Sequence, residues 1–461
     1  MSSILPPEAP AEDSPHLRRS LGLGSLVSIG LGIVISQGAI VTMLQMAGIG
    51  GPAFYAALAV AFLISLCYVD TFAELALMLP RAAGLGRYTE VALGPFAAIV
   101  ANFAGYIVVA LFGVAAELLL VDSVAQALFP LGWPPLSVAF AVLAAATVLN
   151  IVGVDLFARL QNAVTVLKVG SMLGIGVLAL QASSAVPVPA AAAAPAGFQA
   201  AAVLPLVAAV IWGLLGAEYI CPMIEEAREP ARTVPKAMWL ALGVAAVLYL
   251  LFAHGALQRV APERLAGAEL PHLLLAETVA GHWGQVLVGI AALTASVGLV
   301  SSVLAAVPRL LYGMACDGQA FPLFRRLHPR FQTPWVAILF MAGAIAAALL
   351  LLRGEPKAFT VLILSAATAW LLAYIVAHLD VIVLRRRYPE LARPYRSRFS
   401  PWVQWAGIAG MAYCLLNVSP DPALTRSIYL NAGAVLLLVA LVALAWVKWS
   451  LRRKLFEPVP L

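Results

Sequence analysis

The chain has 461 residues, of which 63% are hydrophobic and only 11% charged, with a formal net charge of +6. Soluble domains carry about a quarter charged residues, so this chain cannot cover a water-facing surface. A soluble enzyme is therefore excluded, and the basic excess has to be explained by something other than nucleic acid.

In chain order, apolar stretches that can form helices fall at 21–47, 52–79, 95–122, 136–152, 156–181, 199–223, 235–258, 283–315, 333–352, 358–384, 401–419 and 427–447. A hydrocarbon core about 30 Å thick needs roughly 20 apolar residues per helical crossing, so the expected fold is an all-α integral membrane protein with twelve transmembrane helices. Several stretches exceed that length, which predicts tilted or broken helices. With both termini on the cytoplasmic side, 22 Lys and Arg fall in inner loops and tails and five (Arg259, Arg264, Arg353, Lys357 and Arg426) in outer loops. Lys168 is left inside a span. This is the positive-inside bias, and it accounts for the net charge without nucleic acid. The N-terminal tail 1–20 is acidic before Arg18 and Arg19, unlike a cleaved signal peptide. The Ala/Pro segment 183–198 reads as an outer loop, and 451–461 as a cytoplasmic tail.

Two of the apolar stretches are interrupted. Span one reads Gly30-Leu31-Gly32-Ile33-Val34-Ile35-Ser36-Gln37-Gly38, and span six Ile211-Trp212-Gly213-Leu214-Leu215-Gly216-Ala217-Glu218. They lie five spans apart and so run in opposite directions. Such a pair is the best sequence pointer to an inverted-repeat transporter with its site at mid-membrane. Unwound backbone is tolerated in lipid only where it lines a cavity. Freed N–H groups at a half-helix N-terminus attract a carboxylate, and freed carbonyls attract an ammonium. The candidate substrate-binding residues are therefore Ile33, Ser36, Gln37, Gly38, Trp212, Gly213, Leu215 and Gly216, with Trp212 placed to close over a bound cation.

Charged residues inside spans are costly and usually functional. Lys168, halfway through span five, and Glu218, just after the break in span six, are the candidate proton-coupling groups. Glu117, in the outer part of span three, faces either the cavity or a hydrated vestibule. Asp70 and Glu74 are expected to pack against the basic inner loop around Arg81 and Arg87. The four cysteines show no CxxC spacing, and no metal site or cofactor is expected. No HExxH, P-loop or GxSxG context appears, so an enzyme is not expected.

The residues also carry a resemblance. Ala73-Glu74-Leu75-Ala76, Pro80, Ala83-Gly84, Tyr88 and Leu93-Gly94-Pro95-Phe96 follow one another in the span-two region. Span five runs from Gly153-Val154 to Thr165-Val166-Leu167-Lys168, and span six from Trp212 to Glu218. The next inner loop reads Glu226-Ala227-Arg228-Glu229-Pro230-Ala231-Arg232-Thr233-Val234-Pro235, and span ten ends Arg385-Arg386-Arg387-Tyr388-Pro389-Glu390. In this order the segments resemble the amino acid–polyamine–organocation family of transporters over nearly the whole chain.

The resemblance implies a five-plus-five inverted repeat of the leucine-transporter type, here 21–182 and 199–384, with two further helices in 385–450. It implies alternating access, with Lys168 taking a sodium ion's place and coupling transport to protons, and with Trp212 as a gate and Glu218 as a proton-linked acid. At the first break the family's G-S-G-I-F is replaced by Ser36-Gln37-Gly38-Ala39-Ile40. The expected function is secondary active transport of amino acids, with an amine, ethanolamine or polyamine carrier as the alternative, and a sensor or channel as the reading from another class. The expected partners are a small-molecule substrate, protons and membrane lipid. The expected location is the bacterial inner membrane.

Overall fold

The computed structural model describes residues 21–79, 84–130, 132–152, 155–181, 200–224, 227–352, 358–419 and 421–460. The acidic tail, the Ala/Pro loop, Arg81 and the Gly153-Val154 pair lie outside the described residues. Those described are helical apart from short connections. In chain order the helices are α1 (Leu23–Val34), α2 (Gln37–Gly50), α3 (Ala53–Met78), α4 (Leu85–Leu93), α5 (Pro95–Asn102), α6 (Val109–Leu128), α7 (Ser137–Val152) and α8 (Asp155–Gln181). They continue with α9 (Ala200–Val210), α10 (Pro230–Arg259), α11 (Pro262–Gly267), α12 (Pro271–Cys316), α13 (Trp335–Leu352), α14 (Ala358–Arg387), α15 (Trp402–Leu416) and α16 (Pro422–Ala445).

A π turn over Phe103–Val108 joins α5 to α6, making one 34-residue apolar rod from Pro95 to Leu128. Among the described residues, eight helices are long and apolar enough to cross a membrane, and the pair α1–α2, bent by 57°, makes a ninth. The stretches Ser137–Val152, Trp335–Leu351 and Trp402–Leu416 are apolar but shorter. The chain is thus a multi-pass membrane protein.

Packing follows from small residues. A Cβ on Gly30 of α1 would come within 2.9 Å of Ala241 in α10 and of Ile220; without one, the backbones close up. Membrane helices, lacking a hydrophobic drive toward one another, associate through such contacts. The outward face is the reverse of a soluble protein's. On α16, Leu437, Leu438 and Leu441 are all more than half exposed, as side chains meeting lipid must be.

Polar groups concentrate at one end. Glu74 of α3 is fully buried. Its carboxylate accepts hydrogen bonds from Arg385 Nε (2.7 Å), Arg385 Nη2 (2.5 Å) and the Ser397 amide (2.9 Å). Arg393 Nε lies 3.6 Å away. Asp70 accepts a hydrogen bond from the Tyr395 hydroxyl at 2.5 Å. Arg81, of the loop expected to face these acids, lies outside the described residues, and the partners described for Asp70 and Glu74 come from another segment. Arg385 at the end of α14 and the segment after that helix, through Arg393, Tyr395 and Ser397, supply the partners, whereas Arg87 bonds to Glu90.

The chain's last residues also pack here. The Phe96 amide donates to the Leu455 carbonyl, and the Val459 amide to the Glu90 carbonyl. Arg453 lies 3.5 Å from the Glu90 carboxylate. Burial pushes that carboxyl up from its ordinary range, against the pull of Arg87 and Arg453.

Removing one member of a buried, bonded ion pair costs about 3–5 kcal/mol. Glu74→Ala is therefore expected to lower the melting temperature of the detergent-solubilised protein markedly. An unchanged melting temperature would show that the α14 arginines hold the inner end without it.

Candidate functional site

The first break begins where α1 stops at Val34. Ile35 leaves the helical conformation, Ser36 is extended, and α2 restarts at Gln37. The carbonyls freed at the end of α1 are met from two sides. The Lys168 ammonium on α8, 2% exposed, donates to the Leu31, Gly32 and Ile35 carbonyls at 3.2, 3.4 and 2.5 Å. The Tyr249 hydroxyl on α10 donates to the Val34 carbonyl at 2.8 Å. Ile33 stays outside these pairings, and it lines a cavity.

On the other side of the gap, the N-terminus of α2 is capped by the protein itself. Ser36 Oγ accepts from the Ala39 amide at 2.9 Å, and Glu117 Oε1 on α6 accepts from the Gly38 amide at 2.7 Å. A carboxylate is well placed there because the helix dipole and the unbonded amides both favour negative charge. The Ser296 hydroxyl on α12 lies 3.0 Å from Glu117 Oε2 and also 3.0 Å from Gln37 Oε1.

The second break follows α9. A 3-10 turn over Ile211–Leu214 ends in an extended Leu215 and in Gly216, whose φ is +108°, and a second 3-10 stretch covers Ala217–Met223. Only a residue without Cβ takes that conformation freely. A Cβ on Gly216 would also come within 2.6 Å of Ile33, so the two breaks touch. Tyrosine hydroxyls serve the loosened backbone. Tyr68 on α3 donates to the Leu214 carbonyl (2.8 Å) and accepts from the Ala217 amide (3.3 Å), and Tyr374 on α14 accepts from the Gly216 amide (3.3 Å). Glu218 is fully buried. Its Oε1 accepts from the Trp370 indole N–H at 2.9 Å, while Oε2 has no protein partner.

Between the breaks lies a small cavity of about 40 Å³. Ile33, Ser36, Glu117, Trp212 and Leu215 line it, together with Tyr219 and Trp370. The rings of Trp212 and Trp370 meet edge to face with centroids 5.6 Å apart, and Tyr219 meets Trp370 at 5.8 Å. Trp212 Nε1 is buried without a protein partner.

The residues singled out in the sequence separate into distinct positions. Glu117 lines the cavity between the breaks. Gly38 sits behind Glu117, and Gly216 behind Ile33 and Trp370. Gly213 packs toward Met43 and Ala39 of α2, and Gln37 and Lys168 line a second, smaller cavity beyond the break. Trp370, Tyr68, Tyr249, Tyr374 and Ser296 were not anticipated. Each sits in a regular helix, and nothing local distinguishes it from a packing residue.

The chain matches the family model described as amino acid permease over residues 21–447. It belongs to the amino acid permease family.

An uncharacterized transporter of Mycobacterium tuberculosis is 32% identical over 74% of the permease and 76% of its own length. The Bacillus subtilis glutamate/serine transporter AimA is 25% identical over 83% of the permease and 74% of its own chain. The branched-chain amino acid permease BcaP of the same organism is 24% identical over 91% and 92%. Among solved structures, a manganese transporter of Eremococcus coleocola superposes with a TM-score of 0.57 at 12% identity, covering 93% of the permease and 94% of that chain. At this identity the likeness speaks for the fold alone. The permease is a transporter, and its family implies a small-molecule substrate.

A left-handed conformation costs a residue with Cβ about 1–2 kcal/mol, before any clash. Gly216→Ala is expected to lose at least that much stability and to press Ile33 into the cavity. A thermal-shift measurement that finds the variant as stable as wild type would remove the constraint.

Proposed function

We propose that the permease is a secondary active transporter of amino acids, coupled to protons and working by alternating access. On this reading it has twelve spans, with 21–182 and 199–384 as inverted five-helix repeats, two further helices, both termini in the cytoplasm, and a place in a bacterial inner membrane. The bent pair α1–α2 and the broken α9 stretch, five spans apart, support the repeat, and the bacterial relatives support the location. AimA and BcaP are named for different amino acids, so the substrate is assigned by class only.

The observation that carries the coupling is the Lys168 ammonium on three carbonyls of the first break. An ammonium there ties α8 to the end of α1. When Lys168 gives up its proton, the charge that holds the carbonyls is gone and the half-helix is free to move; when it regains the proton, the tie re-forms. Substrate binding and proton binding thus act on the same few peptide groups. The substrate ammonium would sit on the Ile33 carbonyl and against the faces of Trp212 and Trp370, where a cation gains from the ring quadrupole. Its carboxylate would meet the N-terminus of α2. Glu218, bonded through Trp370 to the cavity wall, is placed to sense whether that wall is closed.

One observation favours a second reading. The Gly38 amide is already taken by Glu117, so the place for a substrate carboxylate is partly filled, which suits an amine such as ethanolamine or a polyamine. Uptake of radiolabelled amino acids and amines into proteoliposomes separates the two. Amino acid uptake is expected, and transport confined to amines would overturn the first reading.

Lys168→Ala is expected to abolish accumulation driven by a pH gradient in sealed vesicles, a loss of about tenfold or more relative to wild type. Full gradient-driven uptake by this variant would contradict the coupling role. Glu218→Gln, which keeps the shape and removes the ionisable group, is expected to change the pH dependence of transport more than the range of substrates. An unaltered profile takes Glu218 out of the mechanism.

A further inference from the structure

Beyond the α1–α2 break from the aromatic cavity lies the second one, of about 20 Å³. Its walls carry Lys168 and Ser171 of α8, Gln37 of α2 and His272 of α12, set among apolar side chains such as Phe252 and Val288. A buried water needs roughly 10–15 Å³ and two to four polar partners; this space has the volume, and the unbonded imidazole of His272 and the Ser171 hydroxyl on its wall are open to such a water. His272 is 1% exposed, and neither of its ring nitrogens has a protein partner. It is the second residue of α12, ahead of the backbone break at Gly281. This stretch follows the connection from α10 through α11, so the imidazole enters from one end of the bundle. Two unbonded nitrogens in an apolar wall are costly unless water or a ligand meets them.

We infer that one buried water in this cavity bonds to His272 and, whenever Lys168 is unprotonated, to the lone pair of its amine, and that His272 passes protons between the α10–α12 end of the molecule and the Lys168 amine. The inference rests on the proton-coupling role of Lys168. Imidazole suits the task because one nitrogen accepts while the other donates. The proton carried by the imidazolium crosses the water to the neutral lysine amine, leaving a neutral ring and an ammonium; the reverse step returns it.

Other charged groups of the surrounding helices are directed elsewhere. Glu117 is bonded to the Gly38 amide and Ser296. On α10, His254 is bonded to Tyr55 and Gln258, and Arg259 to the Ala179 carbonyl. Glu263 and Arg264 of α11, and Glu277 and His282 of α12, are exposed. Lys168 is the charged side chain that shares the cavity wall with His272.

The test uses full-length permease in proteoliposomes holding a pH-sensitive dye. Proton influx is started by a mixture of the common L-amino acids with ethanolamine and putrescine. Exchange of the labelled mixture at equal pH on both sides, which moves no net proton, is measured alongside. His272→Gln and His272→Phe are expected to slow influx about tenfold or more and to flatten its dependence on outer pH, while exchange and melting temperature stay at wild-type values. Wild-type influx in both variants, or an equal loss of influx and exchange, overturns the inference. Lys168→Ala is run in parallel. Full influx in that variant removes the role of Lys168 itself, whereas lost influx there with normal influx in the His272 variants removes only the relay.

Discussion

In hydrocarbon a peptide group has no water to fall back on. Every N–H and C=O must find a partner within the protein, and an unbonded one costs several kcal/mol. This permease interrupts two helices in its buried interior and then meets the exposed groups one by one. Lys168 and Tyr249 take the carbonyls that end α1, Glu117 and Ser36 cap the amides that begin α2, and Tyr68 and Tyr374 attend to the turn at Gly216. Apart from Ser36, which sits at the break itself, these partners come from α3, α6, α8, α10 and α14. The arrangement of helices around the breaks is thus in large part a way of delivering single polar atoms to named peptide groups.

The same requirement separates groups that are used up from groups that remain available. The Glu74 carboxylate in the inner cluster is fully engaged, with hydrogen bonds from Arg385 and the Ser397 amide and Arg393 beside it. It reads as a clamp. The groups near the cavities are different. One oxygen of Glu218, the indole N–H of Trp212 and both nitrogens of His272 are buried without protein partners. Unmet polar atoms are rare in native interiors. Other such atoms occur elsewhere in the molecule, but these four lie on or beside the walls of the two cavities, where a substrate, water or proton can meet them.

Much of this was legible in the sequence, because the features that matter most there are local. Glycines flanking a polar pair inside an apolar run, as at Gly32 to Gly38, announce an interrupted helix. A lysine in mid-span announces a partner, and Lys168 has three. What could not be read is what approaches the breaks from elsewhere. Trp370 stands in an unbroken apolar helix, and its meeting with Trp212 and Glu218 depends on how α14 is rotated. Asp70 and Glu74 were matched to the nearest basic loop in the sequence, while the fold brings Tyr395 and the end of α14 over them. His272 was overlooked because it precedes the apolar run of its helix and resembles any loop histidine. Proximity along a chain predicts local interruptions well and long-range partners poorly.

One contact ties a shape to a charge. A serine hydroxyl owns a single hydrogen, yet Ser296 lies equally near an oxygen of Gln37 and an oxygen of Glu117. If Glu117 is ionised, the hydrogen goes to it, and Gln37 has to turn its NH₂ toward the serine. If Glu117 holds a proton, it donates to the serine, whose own hydrogen is then free for the Gln37 carbonyl. Gln37 also faces the Lys168 cavity, so the two chambers are joined by a three-residue chain whose polarity can run in either direction. The amide of Gln37 is in effect a pointer, and the way it faces records whether its neighbour is charged.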